Sequence, residues 1–468
     1  MNKRIVYVIG IIFLIIIGLI IKSLDVDEKY VVHQHLANTK EVKTEDGQEF
    51  NTHLPFISIE TGGQDIPGEA RDGSTIRADI KIYDKEEGNN YLSDEPKNET
   101  LANIRYRGNS SMEFDKKGYL LKFIKENGEE NKISALGMTE HDEWVLHGPF
   151  LDKTLIRNYM WYNITSEFME YAPATRYCEL FVDGKYQGLY LLVESITRGD
   201  KGRIQIDKYK DGDPYTSYII RLDRGSSTPI KNINNFTKYT RNIGKTLKIN
   251  IVYPGKETLT QDLNQYISHD LSKFEKALYS FDYKQYDKYI DTESFVDYFI
   301  INEFTQNYDA GNLSTYLYKD VRGKLKLCIW DFNNSCDNYR EKLLSNIDFD
   351  MQGSVWFEML LKDPQFVDKI INRYHELRKT YLNEDYLLNY IDETVAYLGD
   401  AIDRNFEVWG YTFEPESDLL PEGRKIGSYE EAITQLKNFI IQRGRWLDEN
   451  IDQLKQFCHP SINKKYNH

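Results

Sequence analysis

A chain of 468 residues, 40% of them apolar and 13% aromatic, can bury one large core or two moderate ones. With 74 acidic against 59 basic residues its formal charge is −15, which argues against a nucleic-acid partner, whose phosphates need a basic surface, and suits a basic protein partner better. Four cysteines without a Cys-x-x-Cys pair give neither a zinc nor a thioredoxin-like signal, and Cys178 and Cys328 fall in apolar, strand-like runs where a buried free thiol is the usual outcome.

Met1-Asn2-Lys3-Arg4 precedes an unbroken apolar run over residues 5–21. As a helix this run spans ~26 Å at 1.5 Å per residue, just enough to cross a hydrocarbon core. Lys22-Ser23-Leu24-Asp25 offers no small-x-small cleavage site, so residues 1–22 are predicted to be a retained transmembrane signal-anchor. Lys3 and Arg4 before it, and Asp25-Val26-Asp27-Glu28 after it, put the N-terminus in the cytoplasm and the bulk of the chain outside, in a single pass. Residues 23–53 are polar and charge-mixed, an extracytoplasmic tether with a short ordered piece around 30–36.

From residue 54 the pattern is β. Runs at 56–60, 76–83, 103–107 and 119–125 alternate or stay apolar for strand length, with Gly, Asn or Asp clusters between them, and predict a twisted sheet. The turn Arg107-Gly108-Asn109-Ser110-Ser111 is rich in small donors and reads equally as a phosphate cradle or a polar β-turn. Two lysines compete for a phosphate-binding role, Lys117 opening a strand and Lys122 within it. Lys122 shares a strand face with Leu120 and Ile124 and needs a partner there, for which Glu194, closing the apolar run 188–193, is the candidate; a snorkelling surface lysine is the other reading. A helix over 152–168 carries Arg157, which either pairs with a carboxylate or positions a phosphate, and Asn158. Runs 178–182 and 186–193 joined through Asp183-Gly184-Lys185 make a hairpin, and strand 218–222 ends at Asp223, placed to face a site. Residues 226–248 are basic and polar, an insertion or a substrate-facing loop. Gly244-Lys245-Thr246 is not a P-loop, because Tyr239 stands where the first glycine belongs.

Helical spacing takes over after Pro254, over 259–279 and 292–305, the second delivering the chain to Asp309. Residues 314–319 and 324–330 form a hairpin through Arg322-Gly323. The two ends of a hairpin meet, so Asp309 and Asp331 converge beside Asn312, either as an oxygen-rich site suited to Mg²⁺ or Mn²⁺ or as caps of a turn. Beyond residue 339 helices are predicted over 355–361, 366–381, 386–406 and 429–454, the last opened by the capping box Ser428-Tyr429-Glu430-Glu431. The zinc-protease and serine-hydrolase signatures His-Glu-x-x-His and Gly-x-Ser-x-Gly are absent.

Asn307-Tyr308-Asp309-Ala310-Gly311-Asn312, Tyr316-Leu317-Tyr318 and Ile329-Trp330-Asp331-Phe332 resemble the signature of the CotH family, the spore-coat protein H kinases. Upstream, Arg105-Tyr106-Arg107-Gly108-Asn109-Ser110-Ser111, Lys116-Lys117 with Tyr119 and Lys122-Phe123, Leu155-Ile156-Arg157-Asn158, and Gly188-Leu189-Tyr190-Leu191 ending at Glu194 fall in the family's order, from about residue 54 to about 339. The resemblance implies an α+β, protein-kinase-like fold: a mixed or antiparallel β-rich nucleotide-binding lobe over 54–253, a catalytic segment with the metal-site hairpin over 254–339, and a helical C-terminal region over 340–468. It also implies ATP, a divalent metal and phosphoryl transfer to Ser or Thr of a surface or spore-coat protein. By kinase analogy Asp331 takes the metal together with Asn312 and Asn333, and Asp309, with Asn312, accepts or orients the substrate hydroxyl. Arg107, Asn109, Ser110, Lys117, Lys122, Arg157 and Glu194 then serve the nucleotide. Asn333 is neutral where the family pattern has Asp, which makes Asp337 the substitute carboxylate, and Asn312 stands three residues after Asp309 where kinases place an Asn at five. The alternative is a non-catalytic, membrane-tethered surface module of the same fold that binds a protein or glycan.

Overall fold

The computed structural model describes residues 33–459 apart from 39, 41–48, 69–72, 109, 238–246 and 281–282. The expected signal-anchor and Asn109 lie outside the described residues, among which no helix is long and apolar enough to cross a membrane.

The β-rich first half does not form an open sheet. Strands β2 (Phe56–Glu60), β3 (Ile76–Tyr83), β5 (Asn98–Arg107), β6 (Gly118–Ile124), β7 (Glu143–His147), β8 (Thr175–Val182) and β9 (Lys185–Glu194) close a seven-stranded barrel in the order β2-β3-β5-β6-β7-β9-β8. Short strands β1 (Asn51–Thr52) and β4 (Asn90–Tyr91) pair beside it. All barrel ladders are antiparallel except β2 on β8, where Phe56–Ile59 run parallel to Glu179–Val182 and seal the seam. Closure removes the unpaired edges that an open sheet would leave. Ile57, Ile59, Ile80, Ile104, Leu121, Phe123, Trp144, Leu146 and Leu192 fill the interior.

Alternation along β6 sends Tyr119, Leu121 and Phe123 inward and Gly118, Leu120 and Lys122 outward. Lys122 therefore does not sit on a buried apolar face. Its Nζ stands 3.8 Å from Glu130 and 4.0 Å from Asp142, and the side chain is 45% exposed.

A second, all-antiparallel sheet combines β10 (Tyr218–Arg224), β11 (Asn232–Ile233), β12 (Leu247–Tyr253), β13 (Thr315–Lys319) and β14 (Lys326–Cys328) in the order β11-β12-β10-β13-β14. It draws strands from both sides of residue 254, so the predicted hairpin is the edge of a sheet begun a hundred residues earlier in the chain. One face, with Ile220, Leu222, Ile249, Ile251, Leu317 and Leu327, packs into the main core.

The helices among the described residues are α1 (Gln34–Ala37), α2 (Arg157–Ser166), α3 (Gln261–Leu278), α4 (Thr292–Thr305), α5 (Phe357–Leu360), α6 (Pro364–Arg378), α7 (Glu384–Leu398), α8 (Ala401–Trp409) and α9 (Tyr429–Asn450). Side-chain caps start the long ones: Thr260 accepts from Leu263 N, Asp291 from Ser294 N and Ser428 from Glu431 N. An α+β chain with a β-rich first half and a helical second half is thus what forms, with a closed barrel in place of a plain kinase lobe.

Two segments cross between these parts. α1, in the stretch expected to be a tether, is docked on the body. His33 hydrogen-bonds with Tyr390 Oη and Glu167, each at 2.8 Å, the Gln34 amide pairs with both backbone groups of Tyr177, and His35 meets Tyr159 Oη at 2.8 Å. α8 returns to the barrel, where Asn405 Oδ1 accepts from Lys116 Nζ at 2.6 Å and from Leu189 N at 3.1 Å. Gly188 has φ +91°, and any Cβ there would meet Asn405 Oδ1 at 2.6 Å, so close approach of α8 demands glycine.

Candidate active site

α4 ends at Gln306 in a left-handed conformation, and the chain turns at once. Asn312 N and Leu313 N both donate to the Asp309 carbonyl, at 3.1 and 2.7 Å. Gly311 holds φ +76° with Ser354 Cβ only 2.6 Å from where a side chain would begin, so the turn closes tightly only with glycine. Its N–H donates to Thr315 Oγ1 at 2.9 Å, tying the turn to β13. The hairpin then runs in register, Tyr316 opposite Cys328 and Leu317 opposite Leu327, and returns to Trp330 and Asp331.

α2 holds this second end. Asn158 and Tyr162, four residues apart on one face, accept from Phe332 N at 2.7 Å and Asp331 N at 3.0 Å. Asn158 Nδ2 donates to Asn333 Oδ1 at 2.9 Å, and Asn333 Nδ2 donates to Asp331 Oδ1 at 2.7 Å. Asn333 thus turns its NH₂ toward the Asp331 carboxylate and orients it. Asn334 Nδ2 reaches across to Asp309 Oδ2 at 2.9 Å, so the loop that carries Asp331 also fixes Asp309. Asp331 itself has φ +63°, a left-handed backbone uncommon outside glycine that is characteristic of constrained sites.

The two carboxylates share one electrostatic field. Burial, then the negative charge of Asp309, push the Asp331 carboxyl up to about 6, with Arg107 pulling it down, Asp223 pushing it further up and the Asn333 hydrogen bond lowering it. Arg107, ending β5, lies 5.0 Å over the Trp330 ring, whose plane also stacks on Tyr162. Among the described residues its guanidinium makes no ion pair or hydrogen bond. The half-buried Asn312 side chain likewise makes no hydrogen bond among the described residues.

The remaining expected site residues are held by partners of their own. Arg157 is fully buried and spends its five N–H donors within the protein, on Ser335 O, Asp152 Oδ1, Thr154 Oγ1, Cys336 O and Gln435 Oε1. It pairs with a carboxylate, Asp152 at 2.5 Å, and has no donor left for a phosphate. Lys117 Nζ donates to Met112 O at 2.7 Å, closing the turn after Arg107. In that turn Gly108 has φ +129°, and Ser110 opens a short 3₁₀ helix, Ser110–Glu113.

Lys122 and Glu194 do not pair. Lys122 lies opposite Glu143 on the outer face of the barrel wall, whereas Glu194 lies opposite Trp144, in the inward-facing row. Glu194 instead accepts from Ala174 N at 3.2 Å, and burial raises its carboxyl against the opposing pull of Arg203. The lysine buried near the site is Lys116, 2% exposed, with Nζ 5.0 Å over the Tyr190 ring. Burial holds its ammonium well below the usual range.

Sequence reasoning passed over Tyr162, Asn334 and His147. Tyr162 had a signal, four residues beyond Asn158 on a predicted helix. His147 closes β7 against Asn333 and the charges of Asp152, Arg107 and Lys116, and burial holds its imidazole down to about 4.

A sequence model described as CotH kinase protein matches residues 104–447. The chain belongs to the CotH kinase family. No curated protein matches it. The CotH match runs well past the last motif at residue 339, into α9, and the contacts give a reason. Arg424 donates to the carbonyls of Asp337 at 2.8 Å, Tyr339 at 2.6 Å and Lys342, and Gln435 of α9 accepts from Arg157 and donates to Cys336 O at 3.3 Å. Arg443, on the same helix, pairs with Glu303 of α4. The C-terminal part of this CotH chain thus braces the loop after the hairpin and the helix that leads into it. Asp337 faces Arg424 at 3.4 Å and serves this brace.

The family implies ATP and a divalent metal. Among the described residues no group of three or more His, Cys, Asp or Glu could hold a metal by itself. The donors present, two carboxylates in one field and the amide oxygen of Asn312, are oxygens suited to a hard cation that draws its remaining ligands from phosphate and water. The residues fit the group on those terms.

Proposed function

We propose that this chain is a membrane-anchored protein kinase that transfers a phosphoryl group from ATP to a Ser or Thr hydroxyl of a surface or spore-coat protein. The observation that supports the reading is that the charge of Asp309 acts on the Asp331 carboxyl from the other end of one hairpin, bridged by Asn334 of the Asp331 loop, with the Arg107 guanidinium, which has no ion pair among the described residues, in the same field. Asp331, oriented by Asn333, and the Asn312 amide would hold Mg²⁺ or Mn²⁺. Such an ion neutralises phosphate charge and aligns the transferred group.

Arg107 presents its fork to phosphate oxygens, a geometry that a guanidinium fits with two parallel hydrogen bonds. Asp309, fixed by Asn334, orients the substrate hydroxyl and takes its proton. By the family resemblance Asn109, Ser110 and Lys117, close to Arg107 in the chain, would serve the nucleotide side. The apolar run over 5–21 with Lys3 and Arg4 before it anchors the enzyme, leaving this site on the extracytoplasmic face.

Nucleotide titration of the protein with and without Mn²⁺, read as a thermal shift, tests the proposal. ATP held at about one hundred times its dissociation constant is expected to add ~2.7 kcal/mol of stability, and Asp331→Ala to abolish the gain while the folded far-UV signature persists. A wild-type chain that binds no nucleotide would leave the non-catalytic surface module as the reading.

A further inference from the structure

Register across the barrel wall aligns residues that are distant in sequence. Arg107 on β5 lies opposite Gly118 on β6, and Tyr119 lies opposite Leu146, which sets His147 of β7 next to Gly118 on its other side. Tyr119 and Leu146 point into the barrel. Side chains alternate along a strand, so Arg107, Gly118 and His147 share the outer row, which continues through Leu191 into the main core.

The middle member of this row has no side chain. With strands ~4.8 Å apart, a slot ~10 Å wide separates the bases of Arg107 and His147. A Cβ at Gly118 would meet only the carbonyl oxygens of Arg107 and Leu146, at 3.3 and 3.4 Å, and no side chain within 4 Å.

Beside the slot lie Asn333, which interacts with His147, and the Asp331 carboxylate bonded to Asn333. The charges of Arg107, Lys116 and Asp152 also act on the imidazole. His147 Nε2 is buried, and although Asn333 lies within reach of the ring, no hydrogen bond of good geometry satisfies Nε2 among the described residues. A buried polar atom without a satisfied bond is costly and rare, and this one borders the open space left by Gly118, where a ligand acceptor would satisfy it.

We infer that Arg107, Gly118 and His147 form an anion seat facing Asp331, in which the imidazole N–H of His147 donates to a phosphate oxygen of the bound nucleotide and Gly118 leaves room for the phosphate. The inference rests on the nucleotide reading above and adds a residue to it. His147 contacts the ligand, and Gly118 acts by having no side chain.

The test is calorimetric titration of the full-length chain in detergent micelles with ATP, adenosine and inorganic pyrophosphate, all with Mn²⁺. His147→Ala is expected to weaken ATP binding about tenfold, the worth of one hydrogen bond to a charged group, and His147→Gln, which keeps a side-chain N–H, to recover most of it. Gly118→Val is expected to weaken ATP and pyrophosphate together and leave adenosine unchanged, the adenosine arm reporting that the fold is kept. ATP affinity in His147→Ala equal to that of the parent chain would overturn the seat while the nucleotide reading stands. A loss of affinity matched by a loss of ligand-free stability, without rescue by Gln, would overturn it as well. If the parent binds pyrophosphate but not ATP, with the same response to His147→Ala, the seat is upheld for free phosphates and the nucleotide reading fails; if the parent binds neither, both fail.

Discussion

Asp331 is held in a left-handed turn, bonded through its own N–H to Tyr162 and through its carboxylate to Asn333, while burial and Asp309 push its carboxyl up to about 6. That places its titration within an accessible pH range. Mn²⁺ affinity is expected to fall steeply as pH drops through about 6, because the protonated carboxyl is a poor ligand, and titrations at pH 5 and 7.5 would show it. Equal affinity at both would remove Asp331 from the site. Stability runs the other way: a carboxyl whose folded pKa lies above its unfolded value binds more protons when folded. Its contribution therefore shrinks as pH rises from about 3.8 to about 6. Asp331→Asn is accordingly expected to lose Mn²⁺ binding without losing stability at pH 7.

Arg157 illustrates the opposite case, a charge placed for architecture. With all donors used and Asp152 beside it in the interior, Arg157→Met would strand a buried carboxylate and is expected to cost ~3–5 kcal/mol, measured by urea unfolding. A cost below ~1 kcal/mol would show that the pair behaves like a surface bridge. From sequence the two readings of Arg157 could not be separated, because which carbonyls surround a guanidinium depends on where residues 335, 336 and 435 arrive.

At the scale of elements, α2 works on two sides. Asn158 and Tyr162 grip the Asp331 loop, while Tyr159 takes the backbone N–H and the ring of His35 from α1. Tyr159→Phe removes two hydrogen bonds to α1, worth ~1–3 kcal/mol together, and leaves the grip on Asp331 in place. Proteolysis near residues 33–40 is expected to accelerate while nucleotide binding persists. Loss of nucleotide binding in this variant would instead make α1 part of the active unit.

The hairpin was legible for local reasons: alternation, a Gly-containing turn and β-rich composition lie within residues 314–330, and a hairpin brings its ends together wherever it packs. Lys122 was not. Residues 119–124 are apolar on both sides of the strand, so the phase of the alternation gave no indication of which side faced inward. The barrel decided it by taking Tyr119, Leu121 and Phe123 inside.

Over the whole molecule, residues before 254 and after 314 share a sheet, α8 packs on the barrel and the 335–342 loop hangs from Arg424 and Gln435. A site built this way fails from a distance. Arg424→Met strips the donors from three backbone carbonyls of this loop, so amide exchange over 337–344 is expected to quicken and Mn²⁺ affinity to fall, although residue 424 lies outside every motif. Unchanged exchange there would show that the loop holds itself.

The amino-acid sequence by itself determined what short-range chemistry can express: the strand and helix periods, the turns, the caps, the family motifs and the placing of Asp309 and Asp331 at the two ends of one hairpin. Closure of the barrel, the sides of its wall taken by Lys122 and Glu194, the burial of Lys116 and the bracing of the Asp331 loop from residues 424 and 435 were decided only by the tertiary structure. Each depends on contacts between segments far apart in the chain, and the free energy that selects them, burial of apolar area and satisfaction of buried polar groups, exists only once those segments meet.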